Sequence, residues 1–471
     1  MTEHSPKTAF SNRPTARAVR LGLIAAAAVA SGAASFAAGA AVSVLPNVKT
    51  NGATTPAGRG GAVHRVTNLN ATGAGSLRAC VDASGPRVCV FEVSGTIKLT
   101  GDLVLRNPNI TIAGQTAPSP GIMLRGGGLN VRTSDVLVQH LQVRPGDDAG
   151  GEPPSNRDGL KISGPAEAAI KNIVIDHCSF SWSIDELASA WASWDNVSII
   201  NSIFAEPLHQ SIHPEGAHGY GVIFGPVKGN ITFANNLISG AKSRNPLTNS
   251  TRTTIVNNVI YNWSNNGIEL QSHGDVTNNS IVGNVLIRGP QTGSNAPILV
   301  RADSTKPAAG SKVFVADNEA EGATSDPWAI VDTVFGSMSL SSYKAENPVV
   351  WPAGFTTKPT SDGVVLNYVL KFAGARPADR DPIDTRIVQS VRNRTGSTIN
   401  CVAPNGTERC NKNAGGWPAM AENTRALTLP ADPNAVTASG YTNLELWLQG
   451  MAADVEGRSR NAPASPVLAN K

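Results

Sequence analysis

Seven short runs recur through the middle of the chain, and they restrict the possible folds more than any other feature. In chain order they read NITIAG, DVLVQH, NIVIDH, NVSIIN, NITFAN, RTTIVN and NSIVGN, beginning at Asn109, Asp135, Asn172, Asn196, Asn230, Arg252 and Asn279. Their start-to-start spacings are 26, 37, 24, 34, 22 and 27 residues. The short spacings match one coil of a parallel β-solenoid, and the long ones match a coil that carries an inserted loop.

The residue pattern within the runs favours the same architecture. Their second and fourth positions are nearly always apolar, which turns one face of a strand inward. Amphipathic stretches of about 10–15 residues do not alternate with the runs, so an α/β fold is disfavoured. The coil spacing is too long for the hairpin-linked strands of a sandwich. We therefore predict an all-β fold, a single-stranded right-handed parallel β-helix over residues 62–330.

The sixth position of the runs carries a column of polar residues. It reads Gly114, His140, His177, Asn201, Asn235, Asn257 and Asn284. In a parallel coil these residues stack, and asparagines at an inward turn satisfy each other and the backbone by hydrogen bonds. We interpret the column, including both histidines, as structural, and we expect Asn257, Asn258 and Asn262 at coil corners.

The N-terminal segment has the pattern of an export signal. Arg13, Arg17 and Arg20 precede an uncharged run over residues 21–48 that is rich in Ala, Gly and Ser. We expect residues 1–41 to be removed and residues 42–61 to form a flexible lead-in. The alternative is an uncleaved membrane anchor, because the run is long enough to span a bilayer.

The C-terminal part changes character. PADRDPIDTRIVQSVRN at 377–393 and GYTNLELWLQGM at 440–451 predict two short helices. We expect residues 331–460 to form a wrapping tail packed on the solenoid, and residues 461–471 to be disordered.

The five cysteines suit an exported protein. Cys80 and Cys89 are nine positions apart, and so are Cys401 and Cys410, and each pair encloses a glycine-containing turn. Two disulfides are therefore predicted. Cys178, flanked by apolar residues, is predicted to be a buried free thiol without a catalytic role.

The formal net charge of +4 is mildly basic. The chain has no block of Lys and Arg, which argues against a nucleic-acid partner. A mildly basic surface is compatible with a polyanionic ligand.

Two acidic places stand out. Asp158 precedes one predicted strand, and Asp185 with Glu186 follows the next, 27 residues later. This spacing of about one coil allows the carboxylates to lie on adjacent coils, where they could bind calcium. Solvated loop carboxylates are the alternative.

Arg244 and the loop SIHPEGAHGYG are further candidates. Arginine has too high a pKa to act ordinarily as a base, so we predict that Arg244 forms an ion pair or contacts an anion. His213 and His218 could serve as general bases in a hydrolase, or could be polar turn residues.

Eight motifs occur in order between about Gly61 and about Gly450. They are GSLRACVDASGPRVCVFEVSGTIKL, NITIAGQTAPSPGI, HLQVRPGDD, VIDHCSFSWSIDE, HPEGAHGYG, SRNP, NNVIYNW and GYTNLELWL. Together they resemble the pectate lyases of polysaccharide lyase family 1. The resemblance implies a β-helix that cleaves polygalacturonate by calcium-assisted β-elimination.

The resemblance also implies roles for individual residues. Arg244, in SRNP, falls on the arginine that abstracts the C5 proton of the sugar. The calcium ligands are implied to be Asp158, Asp185 and Glu186. The substrate-binding residues are implied to be Arg144, His213 and His218. Asn156, Ser189, Glu215 and Asn249 depart from the family pattern, which has two acids, a lysine and a second arginine there.

Other functions remain open from the sequence. A non-catalytic or altered-specificity β-helix that binds a uronate polysaccharide is one, and a lyase for another uronic-acid polymer is a second. A glycoside hydrolase requires two carboxylates flanking one bond. The expected partner is an acidic polysaccharide, pectate or pectin. We expect a secreted monomer without nucleic acid and without stable membrane association after cleavage.

Overall fold

The structure is a computed structural model that describes residues 42–460 except 47, 166 and 167. The predicted export segment at 1–41 and the predicted disordered tail at 461–471 lie outside the described residues. Within the part that is described, no helix has the length and apolar character needed to cross a membrane.

Strands dominate the first three quarters of the described chain. They are β1 (Ala62–Val66), β2 (Arg87–Phe91), β3 (Gly95–Lys98), β4 (Leu103–Leu105), β5 (Ile110–Ala113), β6 (Ile122–Arg125), β7 (Leu129–Val131), β8 (Val136–Gln139), β9 (Leu141–Arg144), β10 (Leu160–Ile162), β11 (Ile170–Asp176), β12 (Ser179–Ser181), β13 (Glu186–Ala190), β14 (Trp194–Ile200), β15 (Ile203–Ala205), β16 (Tyr220–Phe224), β17 (Asn230–Ala234), β18 (Leu237–Ser239), β19 (Leu247–Thr248), β20 (Arg252–Val256), β21 (Val259–Tyr261), β22 (Ile268–Leu270), β23 (Asn278–Val282), β24 (Val285–Ile287), β25 (Ile298–Arg301), β26 (Lys312–Ala316), β27 (Glu319–Ala320) and β28 (Val331–Val334). The α-helices are α1 (Leu77–Asp82), α2 (Val364–Phe372), α3 (Pro382–Asn393) and α4 (Asn443–Glu456).

The strands form three parallel sheets that the chain visits in turn. Sheet 1 has the order β1-β2-β5-β8-β11-β14-β17-β20-β23-β26, sheet 2 runs from β4 and β7 through β10, β13, β16, β19, β22 and β25 to β28, and sheet 3 runs from β3 to β27. Each coil therefore adds one strand to each sheet. The predicted parallel β-helix is confirmed.

The seven runs of the sequence all lie in sheet 1. The register pairs Ile110 with Val136, Val136 with Ile173, and Ile173 with Val197. These apolar side chains are fully buried in the interior of the coils. The predicted inward face is confirmed for these strands.

In the last run, the register of the structure differs by one residue from the predicted one. Thr253 pairs with Asn279, so the matching run begins at Asn278 and its sixth residue is Gly283, not Asn284. The sixth position is a corner with left-handed backbone, with φ of 58°, 47°, 52°, 57°, 54° and 66° at His140, His177, Asn201, Asn235, Asn257 and Gly283. Asn, His and Gly suit this position because they tolerate positive φ better than most residues.

A continuous stack of four asparagines occupies the next position along the chain. The Oδ1 atoms of Asn258, Asn284 and Asn318 each accept a hydrogen bond from the Nδ2 of the asparagine one coil earlier, at 3.1, 2.9 and 2.9 Å. The asparagine ladder, defined as Asn236, Asn258, Asn284 and Asn318, thus ties successive coils together. At the predicted sixth position, Asn235 Nδ2 donates a hydrogen bond to Asn201 Oδ1 at 3.2 Å, and Asn257 Nδ2 donates one to the Gly283 carbonyl at 3.0 Å. The predicted column is therefore confirmed at these positions, and only Asn284 was assigned to it wrongly.

The C-terminal helices cover two of the three sheets. Val365 and Val369 of α2 belong to the same apolar cluster as Leu237 and Val259 of sheet 3. In α4, Leu444 and Leu448 cluster with residues of sheet 1. Both helices predicted from the sequence are present, while α1 and α2 were not predicted. Because the helices cover sheets 1 and 3, the site can be built on sheet 2.

The cysteine predictions are confirmed. Cys80 is bonded to Cys89, and Cys401 to Cys410. Cys178 is a buried free thiol, and burial raises its pKa to about 12. It therefore stays protonated and inert at neutral pH.

Candidate active site

Successive strands of sheet 2 bring the candidate residues together. Asp158 lies two residues before β10, Glu186 begins β13, Tyr220 begins β16, and Arg244 lies in the turn before β19. The register pairs Glu186 directly with Tyr220. Since parallel coils stack equivalent positions, these polar residues form one row at the N-terminal ends of the strands.

Three carboxylates form a compact group in this row. Asp158, Asp185 and Glu186 each contribute an oxygen that lies within 4.8 Å of the others. Asp158 is almost fully buried and accepts hydrogen bonds from the Ser189 hydroxyl and from the backbone N–H of Glu186. We call Asp158, Asp185 and Glu186 the carboxylate cluster.

Burial disfavours the ionised form of the carboxylates in this cluster. Burial, and secondly the charge of Asp185, raise the pKa of Asp158 to about 7. Burial also raises the pKa of Asp185. A divalent cation would relieve this repulsion, and clustered carboxylate oxygens are the donors that calcium prefers. The residues present therefore fit calcium.

Arg244 faces the carboxylate cluster. Its guanidinium ion-pairs with Glu186 and lies 4.0 Å from the ring centroid of Tyr220. Its backbone, with φ of 65°, donates a hydrogen bond from N–H to the Glu269 carboxylate at 3.2 Å. The side chain keeps 27% of its surface exposed, so it can reach a ligand in the groove.

The surroundings of Arg244 shift its pKa. Burial lowers the pKa of the guanidinium, and the positive charge of Arg301 lowers it further. The carboxylates of Asp185 and Glu269 act in the opposite direction. The net shift is downward, toward the neutral form that can accept a proton.

Sequence reasoning missed three charged residues of the site. Glu269 and Arg301 follow Arg244 at 25 and 57 residues, one and two coils later, and their charged atoms lie 3.9 Å apart. Lys161 lines the same groove as Asp158, and its charge opposes the rise in the pKa of Asp158. The coil spacing was the signal that could have found Glu269.

The two loop histidines lie beside the carboxylate cluster. The rings of His213 and His218 stack with centroids 3.4 Å apart, and His218 Nε2 lies 3.8 Å from Asp185 Oδ1. Both are thus placed at the same site as Arg244 and Asp185.

The four departures from the family pattern differ in exposure. Asn156 lines the groove. Ser189 adds no charge there, and its hydroxyl donates a hydrogen bond to Asp158. Glu215 is largely exposed near His218, while Asn249 is buried. A second cation is supplied by Arg301, from another coil, rather than at position 249.

Arg144, predicted to bind substrate, does not line the groove. It lies in β9 on sheet 3, where its side chain is fully buried and ion-paired with Asp381 and Asp384 of the α3 region. The distance from Nη2 to Asp384 Oδ1 is 2.8 Å. This placement does not fit the substrate-binding role implied by the resemblance. Arg144 instead fastens α3 to the β-helix.

The chain is similar in sequence to named fungal proteins. No family model matches the chain. The protein named "Probable pectate lyase C" from Aspergillus flavus is 32% identical over 429 residues, which cover 87% of this chain and 94% of the relative. The protein of the same name from Aspergillus oryzae has the same identity and coverage.

Solved structures were also compared. A pectate lyase II from Xanthomonas campestris aligns over 71% of this chain and 99% of its own, with 14% identity and a TM-score of 0.44. A Bacillus subtilis pectate lyase aligns over 71% and 95%, with 12% identity and a TM-score of 0.45. The fold assignment rests on the sheet topology rather than on these alignments.

The fold and the site define a parallel β-helix protein with a carboxylate–arginine groove on one sheet. The sequence relationship to the fungal proteins is more specific. The chain belongs to the pectate lyase family.

Proposed function

We propose that this protein is a secreted lyase that cleaves pectate by β-elimination, with Arg244 as the base. The observation that carries the proposal is the position of Arg244. Its partly exposed guanidinium ion-pairs with Glu186, one of three clustered carboxylates, in a groove of about 500 Å³. The relationship to proteins named as probable pectate lyases supports the same substrate class.

In this reaction the chain positions one proton acceptor. Tyr220 and the Glu269 carboxylate fix the orientation of Arg244, and burial favours its neutral form. The neutral guanidine takes the C5 proton of a uronate. The electrons of that C–H bond form the C4–C5 double bond, and the C4–O bond breaks. The departing oxygen takes up a proton from solvent.

The carboxylate cluster would hold calcium. Bound by these three residues, the ion would supply positive charge that lowers the pKa of the C5 proton of a nearby uronate. Glu186 belongs to the carboxylate cluster and also contacts Arg244, so it links the cation site to the base.

The loop histidines and Lys161 complete the proposed substrate site. His213 and His218 lie beside Asp185, where they can donate hydrogen bonds to a bound sugar. Lys161 lines the groove with Arg244, and its ammonium group is held at 2.9 Å from Asp102, where it contributes positive charge beside the carboxylate cluster. We also infer that the protein acts as an extracellular monomer on an acidic polysaccharide.

The test is ultraviolet absorbance of the purified protein with polygalacturonate, with added calcium and with chelator. We expect absorbance from the unsaturated product to grow only with calcium, and to be lost in Arg244→Lys. Arg252→Lys, at an exposed position on sheet 1, is the matched control and should keep the activity.

A flat trace on both pectate and methylated pectin would sink the proposal. Binding of polygalacturonate without turnover would then favour the non-catalytic alternative. Elimination that continues unchanged in Arg244→Lys would remove Arg244 from the role of base.

A further inference from the structure

A second cluster of metal-ligand side chains lies away from the groove. His140 and His177 occupy equivalent corners of successive coils, after β8 and β11 of sheet 1, and their rings stack with centroids 5.2 Å apart. Glu456, the last residue of α4, lies against both rings. All three side chains are nearly or fully buried.

The hydrogen bonds of the two rings fix their tautomers. His140 Nδ1 lies 2.7 Å from the carbonyl oxygen of Ala375, and His177 Nδ1 lies 2.7 Å from Asp176 Oδ1. Carbonyl and carboxylate oxygens only accept, so each Nδ1 carries its proton. The Nε2 atoms of both rings therefore face Glu456.

The Nε2 atoms have no hydrogen-bond partner among the described residues. His140 Nε2 lies 3.5 Å from Oε1 of Glu456, and His177 Nε2 lies 3.5 Å from Oε2, and both distances are longer than an ordinary N–H···O hydrogen bond. The distance from His140 Nε2 to Oε1 is close to the edge, about 3.4 Å, of a tetrahedron of ligands with bonds of about 2.1 Å to a zinc ion. One ligand atom from each residue lies within 4.8 Å of the others.

The surroundings resemble the outer shell of a metal site. Metal-binding histidines usually donate the second ring N–H to a carboxylate or a backbone carbonyl, as both rings do here. Asp176 is itself held by Asn201 and Gln139, each at 2.8 Å. Arg458 ion-pairs with Oε2 of Glu456, which leaves Oε1 for an ion.

An entry path is also present. A cavity between α4 and sheet 1 is lined by Gln139, Asp176, Glu456 and Arg458, and it has a volume of about 260 Å³. An ion could reach the cluster from this side without crossing the apolar interior.

We propose that His140, His177 and Glu456 bind one zinc-class transition-metal ion, which fastens the end of α4 to two successive coils of the β-helix. Two imidazoles and one carboxylate suit zinc or cobalt, whereas calcium prefers oxygen donors alone. The ion is structural, because the cluster is buried on sheet 1 while the groove lies on sheet 2.

The first test uses the wild-type full chain, stripped of metal and then supplied with saturating calcium. Titration with Co²⁺ should give one tight equivalent per chain and the visible absorbance of cobalt bound to nitrogen. Zinc should displace the cobalt and raise the temperature of unfolding. Failure of the wild type to take up cobalt or zinc would overturn the proposal. This test does not depend on the folding of any variant.

Variants then locate the ion. Glu456→Gln and His177→Ala should each weaken zinc binding at least tenfold. Asp185→Asn, which alters the carboxylate cluster only, should leave the equivalent in place. Zinc binding that survives both Glu456→Gln and His177→Ala but is lost in Asp185→Asn would contradict the assignment. Circular dichroism establishes that each variant is folded.

Discussion

The asparagine ladder gives a quantitative test of what holds the coils together. We expect Asn258→Ala to destabilise the protein strongly, although it removes only a small side chain. The Asn258 side chain is fully buried and makes four hydrogen bonds. Two of these bonds reach the preceding asparagine of the ladder and one reaches the following asparagine.

The size of the loss follows from the groups that would be left behind. Two neighbouring side chains retain a hydrogen bond in the variant. Asn236 Nδ2 still donates to the carbonyl oxygen of Ile199, and Asn284 Oδ1 still accepts from the backbone N–H of residue 258. The backbone N–H of Asn236 and the carbonyl of Phe233 lose the bonds they make to this side chain, at 2.9 Å each. The Phe233 carbonyl also lies in the ladder between β17 and β20, so the backbone N–H of Asn236 is the group left unpaired. A buried polar group left unpaired costs about 1–3 kcal/mol, and we expect a loss of about this size.

The assay is equilibrium urea unfolding followed by far-ultraviolet circular dichroism. Asn265→Ala, at an exposed position, is the matched control and should change stability by no more than about 0.5 kcal/mol. Asn258→Ser should lose less stability than Asn258→Ala, because a serine can satisfy a backbone N–H at this position. Ser202, in the same column, does so by accepting a hydrogen bond from the N–H of Cys178 at 3.1 Å. A loss below about 1 kcal/mol in Asn258→Ala would refute the reasoning.

Three further predictions concern the site and its correction. Arg144→Met should cost about 3–5 kcal/mol of stability in urea unfolding, because it leaves Asp381 buried without its cation, while KM for pectate should stay unchanged. Tyr220→Leu should lower kcat/KM by about 2- to 30-fold in the absorbance assay by removing the ring against Arg244, whereas Tyr220→Phe should stay near wild type. The pKa of Asp158 is raised to about 7, above its unfolded value, so its contribution to stability is present at low pH and lost as the pH rises through about 7. In calcium-free buffer, Asp158→Asn should therefore unfold at a higher temperature than wild type at pH 8, and the difference should be smaller at pH 5, by differential scanning calorimetry; the opposite order would contradict the shift.

The fold was largely predictable because each coil of a solenoid repeats a similar apolar pattern at a regular spacing in the sequence. The alternation within each run marks the inward face, and the coil spacing brings Asp158, Asp185 and Glu186 together. The one-residue error arose in the run beginning at Asn278, where two asparagines stand side by side. Apolar pattern alone distinguishes such neighbouring registers poorly.

The errors at the site have a different cause. Arg144 belongs to a motif of the family, but a motif does not say which sheet carries the residue. Its partner Asp381 lies 237 residues away in sequence, on a helix that packs across sheet 3. Arg301 was missed for the same reason, since its contact with Glu269 depends on how two separate coils stack.

The most direct test of the central claim is the mass balance of the reaction. A purified oligogalacturonate of one length would be digested with calcium and analysed by mass spectrometry, for the wild type and for Arg244→Lys. Elimination consumes no water, so we predict product pairs whose masses add to that of the substrate, and none from Arg244→Lys. Product pairs heavier by one water would show hydrolysis and contradict the account.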